Sequence, residues 1–120
     1  MYGFKKDINL DFLQGRQLRQ ICVGPLQLQF NFDGDVMIHV GSMVHIYKKK
    51  TSTPEIWKSE EKSIPPGLFG LIEQVIASFD AQPDGTLTIR FASQDTLVIF
   101  DDSKQYESYQ LYHASRTIVV

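Results

Sequence analysis

Hydrophobic and polar residues alternate in the same way along two stretches of this chain. Leu26, Leu28, Phe30 and Phe32 are separated by Gln27, Gln29 and Asn31, and Val36, Ile38 and Val40 follow a short break. Sixty-one positions after Leu26, the order returns as Leu87, Ile89 and Phe91, then Leu97 and Ile99. The segments PLQLQFNFDGDVMIHV and TLTIRFASQDTLVIFD align without a gap. A period of two is that of a strand with one buried face. The chain therefore reads as two strand-turn-strand units related by a pseudo-twofold, an internal repeat of about 13–47 and 69–113. Two units are too few for a solenoid, so they are expected to pack against each other within one domain, 1–120.

The remaining elements follow from local pattern. Residues 1–12 form a lead-in anchored by Ile8, Leu10 and Phe12, and a strand is expected over about 16–23, ended by Gly24-Pro25. Asp33-Gly34 is a hairpin turn, because glycine adopts positive φ freely and aspartate tolerates it. MVHIYK is a further strand after Gly41-Ser42. Residues 48–66 are polar, contain three prolines and keep no period, so they read as a long loop with Trp57 as its one large apolar group. Leu68, Leu71, Ile72 and Val75 stand near helical spacing after Pro66, which predicts a short helix near 67–75. Strands are expected over 75–81, 86–92 and 96–101, in YESYQLYH and in RTIVV. The fold class is mainly β: an antiparallel sandwich or a partly closed barrel with one short helix.

Composition narrows the function classes. Of 120 residues, 42% are hydrophobic and 22% charged, as in an ordinary globular domain. No apolar run approaches the ~18 residues of a membrane span, and the N-terminus lacks a signal-peptide core. The single cysteine, Cys22, excludes an intramolecular disulfide and a multi-cysteine zinc site, and a cytoplasmic location is the expectation. Between Ile21 and Val23 it reads as a small buried hydrophobe. A net charge of −2 argues against a nucleic-acid binder. Charge is uneven: residues 78–110 hold six carboxylates (Asp80, Asp84, Asp95, Asp101, Asp102 and Glu107) against Arg90 and Lys104, while Lys48, Lys49 and Lys50 adjoin the central loop. An acidic face attracts a basic partner, and a solvated surface is the plainer reading.

Candidate chemistry is sparse. His39, His45 and His113 show no zinc spacing, and the calcium-loop pattern is absent around Asp33 and Asp35. No nucleophile elbow, phosphate loop or dinucleotide fingerprint occurs. No cofactor or metal is expected. Alternation in YESYQLYH puts Tyr109 and Leu111 on the core face and Tyr106, Gln110 and Tyr112 on the other. Tyrosines there serve either binding or cross-strand pairing. Trp57 is either an interface anchor or a lid over the core.

The second half, DGTLTIRFASQDTLVIFDDSKQYESYQLY, resembles small bacterial domains of unknown function. In those, a G-x-L-x-L-x-F strand precedes a closing Tyr-Glu-Ser-(Trp or Tyr) segment. The matching residues are Gly85, Leu87, Ile89, Phe91, Tyr106, Glu107, Ser108 and Tyr109, the last standing where tryptophan is commoner. The resemblance covers roughly 67–120 and, through the repeat, part of 13–40. It implies a β-rich bacterial single-domain protein and no activity.

The expected function is a non-catalytic protein-interaction module, most concretely an immunity-type binder of a basic partner or a homodimer. Its partner-binding residues would be Trp57, Asp101, Asp102, Tyr106, Glu107 and Tyr112. The alternative is a small hydrolase or ligand-binding barrel with His39, His45 and Asp35 around one cavity. Where the two repeat copies differ is where function is expected.

Overall fold

The computed structural model describes residues 8–60, 63–102 and 108–120. Ten strands among them form two antiparallel five-stranded sheets. In chain order they are β1 (Leu18–Val23), β2 (Leu28–Phe32), β3 (Val36–Val40), β4 (Val44–Tyr47), β5 (Glu55–Trp57), β6 (Ile76–Ala81), β7 (Leu87–Phe91), β8 (Thr96–Ile99), β9 (Tyr109–His113) and β10 (Arg116–Val119). The first sheet has the order β1-β2-β3-β9-β10 and the second β5-β4-β8-β7-β6. Inward residues of both sheets, among them Phe30, Ile38, Leu111, Ile46, Ile89 and Leu97, join one buried cluster. The architecture is a sandwich, not a barrel. No helix among the described residues is long and apolar enough to cross a membrane.

The repeat is built as an exchange. Each half supplies three strands to its own sheet and sends its last two into the other: β4 and β5 complete the second sheet, β9 and β10 the first. The pseudo-twofold passes through the antiparallel bridge Gln17↔Val75. Reciprocal hydrogen bonds flank it. Leu18 N donates to Gln74 O and Ile76 N to Arg16 O, both at 2.9 Å. Gly15 N donates to Ile76 O at 3.1 Å, and Glu73 N to Leu18 O at 2.7 Å. Gly15 and Glu73, at equivalent points, share a φ of 76°.

Pairing also corrects the register of the repeat. Phe30 faces Ile38 across its hairpin as Ile89 faces Leu97, and Leu28 faces Val40 as Leu87 faces Ile99. Leu28 is thus the counterpart of Leu87, a shift of 59 rather than 61 positions. Leu26 lies outside the ladder and is 66% exposed. Three further expectations change. The helix near 67–75 is a 3-10 helix over Pro66–Leu71, and Val75 is exposed. The loop 48–66 contains β5, which Trp57 pins to Val44. Cys22 is exposed, because a bulge between Leu18 and Gln20 resets the alternation so that Ile21 turns inward.

Candidate interaction face

Two of the six partner-binding candidates named from sequence, Trp57 and Asp101, are buried inside the fold. Trp57 is 2% exposed, on the inward face of β5, so it is the core lid and not a surface anchor. Asp101 is buried and accepts a hydrogen bond from Ser108 Oγ at 2.5 Å. A partner cannot reach either residue without unpacking the fold. Asp95 is also buried; Lys48 Nζ, Lys49 N and Gln74 Nε2 donate to it at 2.7, 2.8 and 2.9 Å. Asp80 pairs with Arg90 at 2.6 Å, and Asp84 accepts from Thr86 N within its own turn. Asp102 is exposed and accepts from Met43 N at 3.4 Å. The acidic stretch is therefore spent mainly on internal bonds. Tyr106 and Glu107 lie outside the described residues. Tyr112 is half-buried and points outward from β9.

The histidines do not converge. His39 lies on the outward face of β3, tilted against Tyr112 with ring centroids 4.8 Å apart. His45 lies on the outward face of β4 in the other sheet, edge-on to Phe100 at 4.7 Å. The inward faces of the sheets meet in the core, so the two outward faces look in opposite directions. No cavity can hold both rings, and Asp35 sits apart in the β2–β3 turn. Burial lowers the pKa of both histidines, and nearby Lys58 adds to the effect at His45. Among the described residues no group of three or more His, Cys, Asp or Glu side chains could hold a metal.

What the fold does assemble is an uncharged face. Strand register places the outward side chains of the first sheet in two cross-strand rows. One row is Gln20, Asn31, Met37, Tyr112 and Thr117; the other is Cys22, Gln29, His39, Gln110 and Val119. None of these side chains carries a formal charge when His39 is neutral. Amides cross-link them: Asn31 Nδ2 donates to Gln20 Oε1 at 3.0 Å, Gln29 Nε2 to Asn31 Oδ1 at 2.8 Å, and Tyr112 OH to Gln110 Oε1. The central six positions are half-buried by their neighbours, and the four on the edge strands are exposed. Charges begin at the rim, with Arg19 in the β1 bulge and Asp33 and Asp35 in the β2–β3 turn.

The second sheet supplies an internal comparison. Its outward rows are Ser78, Arg90, Thr96 and Tyr47, and Asp80, Thr88, Val98, His45 and Ile56. By the pseudo-twofold, Asp80 and Arg90 stand where Cys22 and Asn31 stand on the first. That exposed ion pair is the ordinary way to keep a sheet face in water. The first sheet reaches the same position with no charge. Of this face, the candidates named from sequence include Tyr112 and His39 but not Gln29, Asn31, Met37 or Gln110. The available signal was that the polar members of the alternation 27–31 are all uncharged.

The chain belongs to a family of unknown function, DUF6188, whose model matches residues 10–120. The expectation of a small domain of unknown function is met at that level, over nearly the whole chain rather than 67–120 and part of 13–40. No curated protein and no solved structure matches.

Proposed function

We propose that this member of the family is a non-catalytic protein-interaction module that docks through the outward face of its first sheet. One observation carries the reading: ten ladder positions without a formal charge, on a fold whose second sheet has an ion pair at the equivalent place. Charged residues are depleted at the centres of protein interfaces, and tyrosine and methionine are enriched there. Side-chain use elsewhere agrees with a role outside catalysis. Asp95 and Asp101 serve as buried acceptors, Tyr109 OH is spent on Gly85 O at 2.5 Å, and burial, with the Asp101 and Asp84 charges, pushes that phenol's pKa up. The proposed setting is the bacterial cytoplasm. An immunity-type role toward a basic partner would draw on Asp84 and Asp102, which remain exposed.

Met37→Glu at the centre of the face, immobilised beside the unaltered chain and Thr96→Glu at the equivalent point of the second sheet, tests this. The variant is expected to lose a protein that the other two capture from an extract. Identical captured sets for all three would overturn the docking face.

A further inference from the structure

We infer that the partner seated on the first-sheet face is a second copy of this chain, forming an isologous dimer; this rests on the interaction reading above. The first argument is the hydrogen-bonding chemistry of the face. A face that meets a copy of itself must present donors and acceptors in equal measure. Gln20, Gln29, Asn31, Gln110, Tyr112 and Thr117 each both donate and accept. A face of one charge sign repels its own copy, and a face built for a charged partner carries the opposite sign. This one carries neither.

The second argument is the distribution of charge. The chain is net negative. The second sheet exposes Asp80 and Arg90, and the chain's turns expose Asp35, Asp84 and Asp102. Among the described residues, the first-sheet face is a broad surface on which two such chains can approach with charge confined to the rim, at Arg19, Asp33 and Asp35. Because the second sheet differs, the contact is same face to same face and closes at two copies rather than propagating.

The third argument is area. Five strands about 4.8 Å apart and two rows about 7 Å apart, with side-chain margins, make a patch of roughly 500 Å². Two copies then bury about 1,000 Å² in total, at the lower limit for a specific contact, so the dimer should be reversible at micromolar or higher concentration.

β3 is the middle strand of the sheet, so Met37 lies beside the centre of the patch. Met37 and His39 straddle that centre, so superposed patches bring each Met37 beside Met37 or His39 of the other copy. Sedimentation velocity of the full chain from about 1 to about 500 µM is expected to show a monomer–dimer equilibrium. Met37→Glu and Met37→Lys should each weaken it at least about tenfold by like-charge juxtaposition. Mixing the two variants should restore a dimer, which a misfolded variant cannot do, and Thr96→Glu should behave as the unaltered chain. A chain that stays monomeric throughout overturns the inference, as does a dimer indifferent to both Met37 variants. A monomeric chain that still captures another protein through Met37 overturns the dimer and leaves the docking face standing. A monomeric chain whose captured set ignores Met37→Glu overturns both.

Discussion

Asp95 illustrates how far a side chain's role can lie from its sequence setting. In the chain it is one of six carboxylates in an acidic run; in the fold it joins three segments. Burial alone would raise its pKa, but bonds from Lys48, Gln74 and the Lys49 amide outweigh burial and hold it below the ordinary value of 3.8. Asp95→Ala is expected to cost about 2–3 kcal/mol, read from the urea midpoint, because it strips charge-assisted bonds from a buried site. The histidines make a pH prediction of the same sign in a higher range. Among the described residues, His39 Nε2 and His45 Nδ1 are enclosed without a hydrogen-bond partner, and both pKa values lie below 6.5. The unfolded chain therefore takes up protons first as pH falls. Stability should be flat above about pH 6.5 and decline from there toward pH 5, before the carboxylates titrate. His39→Gln with His45→Gln should flatten that decline in melting temperature, and a slope unchanged in the double variant would refute the assignment. Such roles were not legible in sequence, because the partners are remote: Lys48 lies 47 positions from Asp95.

At the scale of elements, two glycines with positive φ separate sharply. A side chain at Gly85, φ 93°, would lie 2.5 Å from Asp101 Cβ, and Asp101 is buried and tied to Ser108. One at Gly34, φ 68°, would meet only the guanidinium end of Arg16, which can move. Gly85→Ala is expected to cost about 3 kcal/mol and Gly34→Ala about 1 kcal/mol, compared by denaturant midpoints. Equal costs would show that Asp101 yields as easily as Arg16. The strands themselves were largely legible, since alternation alone places Phe30, Ile38, Ile89 and Leu111 on inward faces. Their register was not. A slip of two residues keeps every side chain on its own face, so a period of two cannot detect it. The counterpart of Val36 is Asp95, each preceded by a three-residue turn after its phenylalanine, Phe32 or Phe91. Polar against apolar there broke the match and slid the alignment to Phe30 and Phe91. The short strand β5 escaped because three residues are too few to show a period, and its neighbours are polar.

For the whole molecule, the exchange of strand pairs decides how it comes apart. A repeat whose halves each kept five strands could unfold one sheet at a time. Here neither sheet can open without removing strands of both halves, since β4 and β5 lie beside β8, and β9 and β10 beside β3. Both sheets also share one core, so a cavity on either side weakens the same unit. The only tryptophan, Trp57, belongs to the first half in sequence and to the second sheet in space. Its fluorescence therefore reports on the second sheet, while far-UV circular dichroism averages over both. The two signals are expected to trace one coincident urea transition, as two-state unfolding requires. Phe30→Ala in the first sheet should lower its midpoint by the equivalent of about 3–5 kcal/mol, and Ile89→Ala in the second by about 2–5 kcal/mol. Each should move both signals together, although Phe30 lies in the sheet that lacks Trp57. A Phe30→Ala variant whose dichroism falls while Trp57 stays native would show that the sheets unfold separately, and that the exchanged strands do not bind the halves into one cooperative unit.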